Sequence, residues 1–147
     1  MKLLMTLWFL SLPFIVNADD TPPEYTYFSP YPQETDVPVD YPITFDVIDL
    51  ESGVDPNLRE VQFDGETIVW HGYTEPGSGY QLEVEEIPDG YRFILYHNPF
   101  EPDAEIPIAV EVDDIAENNR YYDCTYYTAG SSGVETTSLG ELKATFK

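Results

Sequence analysis

Two short acidic runs are the densest chemistry in this chain. Asp49, Glu51 and Asp55 fall within one stretch of seven residues, and Asp113, Asp114, Glu117, Asn118 and Asn119 fall within another. Carboxylate, amide and backbone oxygens at such density are what calcium collects, six to eight at a time, and extracellular modules commonly bind it weakly. The candidate calcium ligands are Asp49, Glu51, Asp55, Asp113, Asp114 and Asn118. The spacing is not the strict alternation of a helix-loop-helix calcium loop, so Asp49 and Asp113 can equally cap loop backbone through Asx turns while the other acids stay solvated.

Aromatic side chains are the second resource. The chain has 12 Tyr, 8 Phe and 2 Trp. Trp70, Tyr73, Tyr80, Tyr91 and Tyr96 lie in or beside its middle segments, and Tyr121, Tyr122, Tyr126 and Tyr127 crowd a late one. In a strand, Tyr121 and Tyr127 have a phase opposite to Tyr122 and Tyr126, so one pair of the four must face outward. Exposed rings with acidic neighbours stack sugar rings and hydrogen-bond their hydroxyls, which makes Trp70, Tyr121 and Tyr127 the candidate ligand-binding residues. Tyr also simply suits half-buried strands. Only two imidazoles are present, His71 and His97, and neither sits near a nucleophile motif. Some pair among 28 acids will meet a glycosidase spacing by chance, and a small sandwich offers little cleft, so catalysis is not expected.

Composition limits the partners further. With 28 Asp and Glu against 6 Lys and Arg, the net charge is −22. Such a chain repels phosphate backbones, which argues against nucleic acid. A single cysteine, Cys124, forms no internal disulfide and reads as a small buried hydrophobe. The content of 42% apolar and 15% aromatic residues is too high for disorder.

Elements that would position these residues are short strands. Residues 1–18 (MKLLMTLWFLSLPFIVNA) have the three parts of a secretory leader cut before Asp19, with an apolar stretch too short to span a bilayer. Residues 19–32, rich in Pro and aromatics, suit an extended lead-in or edge strand. Alternation then marks strands at Ile43 to Asp49, Leu58 to Phe63, Glu66 to Trp70, Tyr80 to Glu86, Tyr91 to His97, Ile106 to Asp113 and Arg120 to Thr128. Asp64-Gly65 is a two-residue hairpin signal, and Leu82 and Val84 are expected to point inward. Seven or eight strands without a helical stripe before Gly130 predict one antiparallel β-sandwich over residues 19–129.

The runs Pro38 to Val47 (PVDYPITFDV), Asp49 to Asp55 (DLESGVD), the Val-x-Phe-Asp-Gly pair at Val61 to Gly65, and Val110 to Asn119 (VEVDDIAENN) resemble those of bacterial immunoglobulin-like domains of secreted and cell-surface proteins. The resemblance spans roughly residues 27–128. Glu117 replaces a glycine common in the late loop, and the cysteine pair of animal immunoglobulin domains is absent. It implies an immunoglobulin-like sandwich with Ile43 to Asp49 as strand B and Ile106 to Asp113 as strand F. The two acidic runs then leave the sandwich at one pole. Close carboxylates there repel by about 1 kcal/mol per pair in water.

Residues 130–147 read as a linker and a short amphipathic tail, Ser138 to Lys147, with a capping-box start; it is either a frayed end or a recognition element for export or surface attachment. The expected function is that of a secreted or cell-surface, non-enzymatic immunoglobulin-like module for adhesion, protein interaction or spacing. The alternative is a carbohydrate-binding module, possible only where Trp70 and the exposed tyrosines share a face. The partner expected is an extracellular protein or glycan, with calcium the one cofactor the acids suggest and no transmembrane span after the leader.

Overall fold

The computed structural model describes residues 19–130. The predicted leader and the tail from residue 131 lie outside the described residues. Within them are eight strands and no helix: β1 (Glu24–Ser29), β2 (Ile43–Ile48), β3 (Glu60–Phe63), β4 (Glu66–Trp70), β5 (Gln81–Ile87), β6 (Gly90–Tyr96), β7 (Glu105–Asp113) and β8 (Asn119–Tyr127). They form two four-stranded antiparallel sheets, ordered β1-β2-β6-β5 and β4-β3-β7-β8. This is the immunoglobulin order of A-B-E-D against C-F-G, with β4 added beside C. The count is one more than the seven of the simplest such sandwich, because Glu66 to Trp70 forms the additional edge strand β4.

Alternation sets which residues meet between the sheets. Ile43, Phe45 and Val47 of β2 face Ile106, Ile108, Val110 and Val112 of β7 across the core, and all are at most 7% exposed. Phe45 stacks on Phe93 at 5.3 Å and on Phe28 at 5.6 Å, so an aromatic row ties β1, β2 and β6 together. Fully burying side chains of this size contributes about 1.5–3 kcal/mol each, which accounts for a stable core without a disulfide.

The edges show where alternation misleads. Leu82 and Val84 of β5 have the inward phase, opposite Leu95 and Phe93. Val84 is nevertheless 39% exposed, because β5 is the outermost strand of its sheet and its inner face is incompletely covered by the second sheet. Glu83, Glu85 and Glu86 along it charge the free edge, a device that discourages pairing with other chains. At the opposite edge the chain leaves the first sheet after Ser29, and Val37 forms a parallel bridge with Thr128, so the lead-in covers one end of β8.

Turn chemistry follows the sequence. Asp64 and Gly65 both have positive φ, 48° and 77°, as a type I′ hairpin needs. Gly90 is fixed by crowding instead: a Cβ there would lie 1.9 Å from the Val47 carbonyl oxygen, since β6 begins pressed against β2.

A buried hydroxyl and a half-buried thiol give tests of this core. The Tyr126 hydroxyl is buried with no hydrogen-bond partner among the described residues, and burial pushes its ionisation up. An unpaired buried hydroxyl costs about 1–3 kcal/mol, so Tyr126→Phe should leave stability unchanged or raise it in urea denaturation, where truncating a buried ring would lower it. The Cys124 thiol is pushed up to about 11, first by burial and then by Asp123. Alkylation at pH 8 should therefore be slow in the folded protein and fast in denaturant. Equal rates would mean that the thiol is not packed as described.

Candidate functional site

Both acidic runs emerge at one pole. The β2–β3 and β7–β8 loops are tied by the Val54–Asp114 bridge and by hydrogen bonds from the Asp55 amide to the Asp113 carbonyl (3.0 Å) and from the Ile115 amide to the Gly53 carbonyl (2.8 Å). The candidate ligands then divide by what each carboxylate does. Asp49 Oδ1 accepts the amides of Glu51, Ser52 and Gly53 at 2.8, 2.9 and 3.0 Å, which makes it the cap of the loop. Asp114, 2% exposed, accepts the Asn118 amide and side-chain amide, each at 2.7 Å. Asp55 caps Asn57 at 2.8 Å.

Asp113 points elsewhere. Its side chain has the outward phase of β7, so it takes Arg59 at 3.2 Å and Asn119 Nδ2 at 2.8 Å, and it does not cap a loop as its sequence position suggested. Glu51 is exposed and accepts the Thr21 hydroxyl at 3.2 Å. The third carboxylate near Asp49 and Asp114 is instead Asp19, with ligand oxygens of all three within 4.8 Å of one another. Asn118 Nδ2 donates to the Asp19 carbonyl at 3.1 Å, which draws the lead-in onto the pole. The Thr21 amide donates to Asp19 Oδ1 at 2.9 Å, and the neighbouring Asp19 raises Glu51. Asp19, Asp49 and Asp114 are thus the residues whose oxygens could hold a metal ion.

A second site lies on the outer face of the β4-β3-β7-β8 sheet. Trp70 stands opposite Glu60, Glu60 opposite Glu111, and Glu111 opposite Tyr121. Cross-strand partners point to the same side of a sheet, so these four form one row across all four strands. Tyr73 extends it: the β4 end turns back through His71 and Gly72, both with positive φ, and Tyr73 bridges Trp70. Trp70, Tyr73 and Tyr121 are 53%, 62% and 58% exposed. At ~4.8 Å per strand, Trp70 and Tyr121 stand about 14 Å apart.

The two glutamates are neighbours of like charge, a pairing that costs up to about 1 kcal/mol. Each is offset differently. Arg59 Nε reaches Glu111 at 3.5 Å while its Nη1 holds Asp113. Glu60 receives only neutral donors, Thr67 Oγ1 and, at 2.8 Å, Gln62 Nε2, and these two hydrogen bonds hold it below the usual carboxylate range. Thr67 can reach it because a bulge at Ile68 puts Thr67 and Trp70, three residues apart, on the same face. An open depression of about 540 Å³ bordered by Arg59, His71, Asp113 and Glu117 connects this face to the acidic pole.

Of the aromatics expected to bind ligand, Trp70 and Tyr121 share the row. Tyr127 has the same outward phase but is half-buried and lies six residues along β8, about 20 Å away. Glu60, Glu111 and Tyr73 were not among the sequence candidates. Their signal was present only as phase: each glutamate is adjacent to an inward valine, Val61 or Val110, but nothing in alternation says that those valines pair.

No protein-family model and no curated protein sequence matches the chain. Solved structures do. A region of dimeric latent PorU from Porphyromonas gingivalis matches 82% of this chain with a TM-score of 0.58 and 20% sequence identity. The matched region is 11% of the PorU chain, so this chain spans about a tenth of that protein. CopC from Methylosinus trichosporium OB3b matches 76% of this chain over 98% of its own, with a TM-score of 0.53 and 8% identity. These likenesses define the class, an all-β sandwich, and concern fold alone. No helix among the described residues is long and apolar enough to cross a membrane.

The pole yields a direct test. Asp49→Ala removes the acceptor of three amides and should destabilise the fold by about 1–3 kcal/mol in urea denaturation, whereas Asp49→Asn keeps one acceptor oxygen and should lose less. Equal losses would show that hydrogen bonding to this oxygen is not what holds the loop.

Proposed function

We propose that the chain is an exported, non-enzymatic immunoglobulin-like module that binds a saccharide over the outer face of its β4-β3-β7-β8 sheet. The single observation that carries the reading is the row of exposed Tyr73, Trp70 and Tyr121 with Glu60 and Glu111 between them. Rings at both ends of the row offer stacking surfaces, and carboxylates between them accept hydrogen bonds from ring hydroxyls. Export rests on the leader pattern of residues 1–18, and kinship with bacterial immunoglobulin-like domains rests on the loop motifs and the strand order.

Binding fits this face better than hydrolysis does. A glycosidase needs one carboxyl kept protonated and the pair held across a cleft. Here Glu60 is pulled toward ionisation and stands beside Glu111 on an open sheet. The test is retention on insoluble polysaccharides. Trp70→Ala and Tyr121→Ala should each weaken it about tenfold, equivalent to ~1.4 kcal/mol, while Tyr31→Ala, at the edge of the first sheet, should not. Retention by no polysaccharide, or equal loss in all three variants, would sink the reading.

A second proposal concerns the pole: calcium seated by Asp19, Asp49 and Asp114. Asp19 Oδ2 favours it, being a carboxylate oxygen shielded from solvent with no hydrogen-bond partner, facing two further carboxylates. Oxygen-only ligand sets of this kind suit calcium. The melting temperature should rise in millimolar calcium and return with chelator, and less so in Asp19→Asn; an unchanged melting temperature removes the metal.

A further inference from the structure

The face that carries the proposed saccharide binding also constrains which saccharide. Among the described residues the formal cations are Arg59, Arg92 and Arg120. Arg92 is committed to Asp46 on the other sheet, at 2.7 and 2.8 Å. The inward phase of Arg120, opposite Val112, lets it reach the Pro23 carbonyl at 3.0 Å. Arg59 alone serves the outer face of β4-β3-β7-β8, and it is divided between Glu111 and Asp113.

Against that one cation stand Glu60, Glu111, Asp113 and the exposed Asp123, all with the outward phase. Glu60, like Asp123, makes no ion pair: its hydrogen-bond donors, Thr67 and Gln62, are neutral, and Arg59 acts on it only from beyond contact distance. It also stands directly beside the exposed Trp70. A carboxylate next to an indole face is a pair of attractions for the same thing: an ammonium is drawn to the anion and to the ring quadrupole together.

Geometry supplies the rest of the ligand. The row offers one side chain per strand at ~4.8 Å, close to the roughly 5 Å that a pyranose unit advances along an extended β-linked glycan. A flat row of this period matches successive sugars better than it matches a side chain of a folded partner.

We propose that Tyr73, Trp70, Glu60, Glu111 and Tyr121 form consecutive subsites for a β-linked glycan bearing free amino groups, with a sugar ammonium held between Glu60 and the Trp70 ring. This rests on the saccharide reading above and names its ligand class. Trp70 and Tyr121 hold sugar faces, Glu60 selects the ammonium, and Glu111, already paired with Arg59, accepts from hydroxyls. The protein's surplus of acid then works over this face as a long-range attraction for a cationic polymer.

The experiment is calorimetric titration of the full chain near pH 6 with four probes: a β-1,4 glucosamine hexamer, its fully N-acetylated counterpart, a neutral glucose hexamer of the same linkage, and hexalysine. The glucosamine hexamer should bind about tenfold more tightly than the acetylated one. Glu60→Gln, which keeps the side chain's shape but not its charge, should abolish that preference, weakening the glucosamine hexamer about tenfold more than the acetylated one. Trp70→Ala should weaken both hexamers. Half-molar salt should erase the preference as the ion pair is screened. Equal affinity for the amino and acetylated hexamers overturns this inference and leaves saccharide binding standing. Hexalysine binding as tightly as the glucosamine hexamer also overturns it, by showing that charge alone suffices. Binding of none of the sugars overturns both readings.

Discussion

The pairing of β3 with β7 governs both faces of the second sheet. Val61 stands opposite Val110 and both are essentially inaccessible to solvent. Strand periodicity is two, so burying that pair forces the neighbouring pair, Glu60 and Glu111, together on the outside. The magnitudes say which effect wins. Burying two valines contributes about 1.5–3 kcal/mol each, whereas opposing two exposed carboxylates costs at most about 1 kcal/mol. The core dictates the register and the surface inherits a like-charge pair. A slip of one residue would exchange the two and expose the valines.

What surrounds those glutamates then reads as a response to that constraint. Arg59, the residue before β3, relieves Glu111, and the bulge in β4 rotates Thr67 onto the face where it donates to Glu60. The relief is unequal, and the inequality gives the face its character: one glutamate is ion-paired, the other is held below the usual carboxylate range first by two neutral hydrogen-bond donors. Exposed rings at each end complete a surface that is polar and flat in the middle and aromatic at its limits. The pole follows different physics. There the carboxylates serve as caps, with Asp49 and Asp114 accepting amides that the loops cannot satisfy internally.

Much of this was legible in the sequence, and the parts that were not share a cause. Alternation located β2 to β8 to within two residues, β1 was legible only as part of a proline-rich lead-in, and Asp64-Gly65 located the first hairpin, because these are local properties of the chain. The convergence of the two acidic loops was also accessible, since the resemblance supplied the strand order. Register was not. That Glu60 faces Glu111, or that Tyr73 continues the line of Trp70, depends on how strands far apart in sequence slide against one another. Asp19 was missed for the same reason: it meets Asn118 and Asp114 only after the lead-in folds across the pole. Asp113 was misjudged as a cap because its outward phase, not its place in an acidic run, decides its partner. Val84 has the inward phase, but coverage by the opposite sheet cannot be read from alternation.

One row of side chains, set by the β3–β7 register, is thus the proposed binding surface. Chemical-shift mapping on the ¹⁵N-labelled protein during titration with the glucosamine hexamer tests it most directly. Perturbations should centre on the Trp70 indole and the amides of Glu60, Tyr73, Glu111 and Tyr121, with the pole and the first sheet unmoved. Shifts centred on the Asp19, Asp49 and Asp114 loops, or around Tyr27 and Tyr96 on the opposite face, would contradict it.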